Sequence, residues 1–264
     1  MVLELYCQQL VLLLNFNLNH MKNLIYISLV AVLAISCSTS QTVKTSETPE
    51  VVVTKPFDSG VGININFTPG KSFNHPLIAF WIEDMNGNYI QTVYASKSIT
   101  TGVFKYGVYE KGKWKPGERR RPASLPYWLH KLGKMTSDGY FLPSPENPLP
   151  DAYTGATPQG SFVVRFTVPS NLKQFKLFME INQPWDWNNY WHNNRFPGDE
   201  NYATSAQPAL VYSADVHIDA KGGKFFLKPI GHSHYSGASG ELFTDISTLT
   251  SALNIASDIW VEIE

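Results

Sequence analysis

Short apolar runs separated by turn residues are the feature that most limits what this chain can fold into. Residues 61–67 alternate apolar and polar side chains, which is the pattern of a strand buried on one face. Residues 77–82 are continuously apolar, as in a central sandwich strand. The pair Asn86-Gly87 follows and favours a hairpin into residues 89–94, because both residues tolerate positive φ.

The rest of the chain continues this pattern. Further strands are predicted from β-branched and aromatic content at residues 161–168, 174–181, 209–218, 224–230 and 259–263. One short helix is expected at residues 124–132, with a proline near its first turn, inside a long loop-rich stretch. The sequence therefore predicts an all-β fold: an antiparallel β-sandwich, immunoglobulin-like in general architecture, with long loops and one short helix.

The N-terminal region has the pattern of a targeting segment. Met21 and Lys22 precede an apolar run over residues 24–35, and Ser36-Cys37 follows. The run is too short to span a bilayer comfortably. A small residue directly before a cysteine resembles a bacterial lipoprotein processing site, and an ordinary cleaved signal is the alternative.

These features divide the chain into four parts. Residues 1–20 are interpreted as a mis-assigned upstream extension, and residues 21–36 as a lipoprotein signal peptide with Cys37 as the lipidated residue. Residues 37–57 are expected to be a flexible tether, and residues 58–264 a single sandwich domain. The expected location is the cell envelope, as a periplasm-facing lipoprotein held to a bacterial membrane through Cys37.

Charge argues against one class of partner. The 264 residues carry a formal net charge of −1, and no interleaved basic and aromatic face is expected. Nucleic acid is therefore not predicted as a partner. The chain has two cysteines, Cys7 and Cys37, so the domain is expected to hold no disulfide.

A glycine-bearing polar segment lies between a proline-rich loop and the strand at residues 161–168. It reads Asp-Ala-Tyr-Thr-Gly-Ala-Thr over residues 151–157 and resembles the site at which extracytoplasmic flavoproteins receive FMN through a phosphoester to the final threonine. The resemblance implies a covalent FMN at the motif residues Asp151, Thr154, Gly155, Ala156 and the acceptor Thr157. A plain turn ended by a proline is the structural alternative.

A wider resemblance supports this interpretation. Residues 76–84, the Thr-Gly-Ala-Thr-Pro string at 154–158 and the strands after it resemble a bacterial family of predicted periplasmic proteins of unknown function (domain of unknown function 2271). The likeness covers most of residues 58–264. Members of that family tend to be encoded near flavin transferases and membrane proteins of extracytoplasmic electron transfer. The resemblance therefore implies flavin transferases and membrane redox proteins as partners, and a non-catalytic role in electron transfer.

An aromatic, amide-rich loop offers a different function. Its rings could stack on an isoalloxazine. Alternatively, the loop could stack on a sugar ring and bind its hydroxyls, or hold a protein partner, through Trp185, Asp186, Trp187, Asn189, Tyr190 and Trp191. In that alternative the chain is a non-redox binding lipoprotein. Packing of these rings at one end of the sandwich is the structural interpretation of the same residues.

The remaining candidates for chemistry are weaker. His232 and His234 are two residues apart, so they would share a face of an extended strand and could bind a metal ion with His217 or His192. Without further ligands at fixed spacing, a metal is not expected. Residues 237–240 are no nucleophile elbow, and no convincing catalytic constellation is present, so the chain is not predicted to be an enzyme.

Overall fold

Thirteen strands and two short α-helices form the regular structure of residues 48–55, 57–150 and 154–264, the part of the chain that this computed structural model describes. The strands are β1 Glu50–Val53, β2 Val61–Pro69, β3 Leu77–Glu83, β4 Tyr89–Ser96, β5 Val103–Glu110, β6 Lys113–Glu118, β7 Thr154–Gly155, β8 Phe162–Val168, β9 Gln174–Asn182, β10 Leu210–His217, β11 Lys224–Phe226, β12 Lys228–His232 and β13 Ala256–Ile263. The helices are α1 Lys97–Thr101 and α2 Pro126–Leu132, and 3-10 turns lie at Tyr202–Thr204 and Ser251–Asn254.

The strands form two main sheets and one separate ribbon. The five-stranded sheet has the order β1-β8-β2-β13-β11, the six-stranded sheet has the order β12-β10-β9-β3-β4-β7, and β5 pairs with β6 alone. Neighbours are antiparallel except at one end of each main sheet, where β1 runs parallel to β8 and β7 parallel to β4. The predicted all-β, antiparallel sandwich-like fold is confirmed.

The main core lies between the two sheets. On β2 the alternate residues Ile63, Ile65 and Phe67 are buried, and the asparagines between them are partly exposed. Opposite side chains come from β3, β9 and β10 of the other sheet. The period-two pattern of the sequence therefore marks the face of β2 that meets the second sheet.

A second apolar layer explains why β3 is apolar at nearly every position. Ala79 and Trp81 face away from the main core and pack against residues of α2 and the loops around it, including Trp128 and Leu129. The long stretch between β4 and β7 thus covers the outer face of the six-stranded sheet. A strand buried on both faces has no polar side to reveal its alternation.

A buried carboxylate fixes the segment between β4 and β7 to the six-stranded sheet. Glu180 on β9 is fully buried, and its oxygens accept hydrogen bonds from the backbone N–H groups of Tyr127 (3.2 Å) and Trp128 (2.7 Å) at the start of α2. Burial is the main cause that raises the pKa of Glu180, to about 8. The Trp128 indole also donates to Thr92 on β4 at 2.9 Å.

Two predictions need correction, and two elements were missed. The tether predicted over residues 37–57 is not flexible throughout, because Glu50–Val53 pairs with β8 as an edge strand. The strand predicted at 224–230 is two strands in different sheets: β11 pairs with β13, β12 pairs with β10, and buried Leu227 lies between them. Helix α1 and the β5–β6 ribbon were not predicted.

Candidate functional site

The segment that resembles a flavin attachment site lies at the edge of the six-stranded sheet. Thr154 and Gly155 form β7, which pairs in parallel with Ala95 and Ser96 of β4. Regular structure ends at Gly155, so Thr157 lies two residues beyond it. Asp151, the acidic residue of the motif, lies outside the described residues.

Two side chains of β4, Ser96 and Tyr94, interact with the Thr157 hydroxyl. Its Oγ1 atom is 2.6 Å from Oγ of Ser96, and either hydroxyl can donate this hydrogen bond. Ser96 is buried, and its Oγ also accepts the backbone N–H of Ile78 at 2.9 Å. Thr157 itself is half-buried, and the preceding Ala156 is exposed. The hydroxyl is thus outside a strand ladder, and it is directed toward the buried side chains of Ser96 and Tyr94.

Tyr94 of β4 also binds the backbone of this segment. Its hydroxyl donates to the carbonyl oxygens of Ala156 (3.0 Å) and Gly155 (3.5 Å). Burial raises the pKa of Tyr94 far above its ordinary value, so the phenol remains a hydrogen-bond donor. A side chain at Gly155 would begin 3.3 Å from the Tyr94 ring, which gives a packing reason for glycine there.

The aromatic loop is divided between core and surface. Trp191 is buried, and its indole donates to the Thr248 hydroxyl at 3.1 Å. Trp187 is partly buried and meets Tyr202 edge to face, with ring centroids 5.6 Å apart. These two rings stabilise the fold and present no free face for a ligand.

The two exposed rings of the loop are each covered on one face by arginine. Trp185 is 52% exposed, and the Arg121 guanidinium lies 4.8 Å from its ring centroid. The Arg195 guanidinium lies 3.6 Å from the centroid of exposed Tyr190. Asn189 is exposed beside them. The predicted aromatic platform is therefore reduced to two partly covered rings.

Asp186 is bound into the same loop. Its Oδ1 accepts a hydrogen bond from the Ser251 hydroxyl at 2.5 Å, and its buried Oδ2 has no hydrogen-bond partner within the described residues. Burial raises the pKa of Asp186 above its ordinary value, although the Ser251 bond opposes that shift. This carboxylate is oriented inward and is poorly placed to bind a sugar hydroxyl.

The proposed histidine set does not assemble. His232 lies opposite Leu210 in the pairing of β12 with β10, and His217 lies seven residues further along β10. That separation is roughly 23 Å at the rise of a strand. The prediction that His217 joins His232 and His234 is wrong, and within residues 48–55, 57–150 and 154–264 no group of three metal-binding side chains is found.

Sequence reasoning missed two features. Tyr94 and Ser96 support Thr157 from about sixty positions away, and no local pattern points to them. The second is the β5–β6 ribbon, where lysines and exposed aromatic residues alternate along the strands. The string Lys-Trp-Lys at residues 113–115 is the signal that marks it.

Comparison with family models, with curated proteins and with solved structures gives no match for this chain. The flavin-site and family resemblances therefore stay predictions, and the site is argued from its own geometry. Among the described helices, none has both the length and the apolar character needed to cross a membrane.

Proposed function

We propose that this chain is an extracytoplasmic lipoprotein that carries FMN covalently on Thr157 and serves, without catalytic activity of its own, in periplasmic electron transfer. The observation that carries the proposal is the position of the Thr157 hydroxyl. It lies at the edge of a sheet, just after a two-residue strand, with an exposed alanine before it and hydrogen-bonding contact to Ser96 and Tyr94.

Covalent attachment requires the hydroxyl to reach the active site of another enzyme. In the proposed step, Thr157 Oγ1 attacks a phosphorus of the flavin dinucleotide bound to a transferase, forming a phosphoester as the P–O bond to the leaving AMP breaks. The hydroxyl proton passes to a base of the transferase or to water. An acceptor in a central strand could not move, whereas β7 is held by two paired residues and the Tyr94 hydroxyl.

The residues around Thr157 fit this task. Gly155 and Ala156 leave little side-chain bulk beside the hydroxyl, and Ser96 holds Thr157 without enclosing it. When bound there, FMN would supply reversible electron transfer. A covalent bond suits a compartment outside the cytoplasm, because a flavin that dissociates there would diffuse away.

The proposed anchor would keep the acceptor near the membrane. Val52 of β1 lies beside Gly155, about 4.0 Å from the position a Cβ there would take. Glu50 lies thirteen positions after Cys37 in the sequence, a distance of at most roughly 45 Å when the chain is extended. Thr157 would therefore stay within reach of membrane redox proteins.

The proposal is tested by co-expressing the chain with a flavin transferase and examining denatured protein for in-gel flavin fluorescence. We expect fluorescence in the wild type and in Thr157→Ser, and none in Thr157→Val, which keeps the shape of threonine but lacks the nucleophile. Fluorescence that is absent from the wild type, or that persists in Thr157→Val, would overturn the proposal.

A second candidate is binding of a glycan or protein partner at the aromatic loop. The observation in its favour is the half-exposed Trp185 indole, which the Arg121 guanidinium contacts on one face. The Trp185 backbone has a positive φ of 59°. If a glycan is found to bind, Trp185→Ala should lower its affinity while Trp187→Ala should act through stability. Unchanged affinity in Trp185→Ala would remove this candidate.

A further inference from the structure

The β5–β6 ribbon stands apart from the rest of the fold. Its strands pair with each other and with no strand of the two main sheets. The connecting residues Lys111 (φ 49°) and Gly112 (φ 76°) both have positive φ, as a two-residue hairpin turn requires. A tight turn with strands on both sides makes a narrow ribbon that exposes most of its side chains.

The exposed side chains of the ribbon are aromatic and basic. Tyr109 and Trp114 are directly paired, 60% and 54% exposed, with ring centroids 5.2 Å apart. Lys113 and Lys115 alternate with Trp114 along β6, so they lie on the opposite face. Two exposed aromatic rings in contact with each other form a contiguous apolar patch, which is the kind of surface feature that indicates a binding site.

The positive charge of the ribbon favours an anionic partner. Residues 103–118 contain four lysines and two glutamates, a formal charge of +2, in a chain whose total is −1. The ribbon is therefore basic while the remainder of the chain is acidic. We propose that the β5–β6 ribbon binds an anionic phospholipid surface. Tyr109 and Trp114 would lie at headgroup level, and the lysines would reach lipid phosphates on their flexible stems.

The ring geometry favours a bilayer over nucleic acid. Single-stranded nucleic acid stacks its bases on flat, accessible ring faces. Here the two rings are tilted by 56° and contact each other, so they offer no row of parallel platforms. A bilayer interface makes no such demand, because it needs only apolar rings with polar atoms that remain hydrated.

This inference goes beyond the proposed function and does not depend on flavin. All thirteen strands and the buried core lie within the compact unit Thr45–Glu264, which lacks Cys37 and so separates ribbon binding from lipid anchoring. We expect this unit to sediment with vesicles that contain phosphatidylglycerol, to bind vesicles of phosphatidylcholine alone far more weakly, and to be released by high salt.

Variants assign the binding to the ribbon. Lys113→Gln with Lys115→Gln should weaken vesicle binding by about fivefold or more, mostly through Lys113, because Lys115 is already paired with Glu110 at 3.1 Å. Trp114→Ala should weaken it by about tenfold. The matched controls are Lys221→Gln with Lys228→Gln, and Phe226→Ala, whose side chain is as exposed as that of Trp114. The lysine variant leaves the Tyr109 and Trp114 rings in place, so it tests the proposal even if Trp114→Ala loosens the ribbon.

Three outcomes would overturn the inference. The first is absence of binding to phosphatidylglycerol vesicles, and the second is binding that the ribbon variants and the controls weaken equally. The third is ribbon-dependent binding that is tighter to a single-stranded DNA oligonucleotide than to vesicles, which would assign the surface to nucleic acid. The flavin content of the same samples reports separately on Thr157.

Discussion

The acceptor edge around Thr157 and the aromatic loop at residues 185–191 are built in opposite ways. The acceptor edge is a two-residue strand held by hydroxyl groups of Tyr94 and Ser96. The aromatic loop places Trp191 in the main core, and its polar groups bond to residues near 250. The difference teaches that a segment rich in ligand-like side chains can be structural, while a segment with few such side chains can lie at a sheet edge, held by two paired residues and a few hydroxyl groups.

The largest effect should come from the buried half of the aromatic loop. Trp191→Ala removes a large side chain from the core and leaves the Thr248 hydroxyl without its partner, so the free energy of unfolding should fall by about 3–5 kcal/mol. Denaturant unfolding measures this. A loss below about 1 kcal/mol would mean that the Trp191 ring contributes little to the core. It would contradict the conclusion that this half of the loop is structural.

A smaller effect is expected at the acceptor edge. Tyr94→Phe deletes the hydroxyl that binds the Ala156 carbonyl, which should cost about 1 kcal/mol and speed amide exchange at residues 154–157. Tyr212→Phe, at a tyrosine buried on β10, controls for loss of a buried hydroxyl elsewhere. Equal exchange at 154–157 in both variants would show that Tyr94 does not restrain the segment.

How far could these two regions be predicted from the sequence? The strand after Pro158 and the loop character of residues 185–191 follow from local pattern, and both are confirmed. The division of the loop into buried Trp191 and exposed Trp185 depends on contacts with distant residues near 202, 235 and 248, which no local period encodes.

Strand pairing limits prediction in the same way. His217 and His232 belong to strands that were both predicted approximately, yet the pairing register of β10 with β12 places them far apart. Edge strand β1 has a local signal in its three valines, but a four-residue strand within a polar stretch gains its stability from pairing with β8. Such pairings are tertiary, and a single sequence does not specify them.

Protonation provides a finer test of the inward orientation of the aromatic loop. The pKa of Asp186 is raised in the folded state, so its contribution to stability is full below the ordinary value of 3.8 and is lost as the pH rises through the raised pKa. Asp186→Asn should therefore reduce the change of the unfolding free energy with pH in this range. The reduction should be less than about 1 kcal/mol, because the group is partly exposed. The exposed Glu241→Gln is the control, and identical pH profiles for wild type and Asp186→Asn would contradict burial as the cause.

The smallest effect should come from the exposed half of the loop. Trp185→Ala removes a half-exposed ring and its contact with Arg121, so the free energy of unfolding should change by about 0.5 kcal/mol. Thermal unfolding of Trp185→Ala and Trp191→Ala, measured side by side, compares the two losses of stability. A loss as large as that of Trp191→Ala would erase the distinction between the two halves.

The central claim is that the Thr157 hydroxyl, and not its hydrogen bond, makes the acceptor edge functional. The direct measurement is intact-protein mass after co-expression with a flavin transferase, followed by peptide mapping of the modified residue. Wild type and Ser96→Ala, which loses the bond but keeps the nucleophile, should each gain one FMN on Thr157, and Thr157→Val should gain none. An unmodified wild type, or a flavin mapped to another residue, would contradict the account.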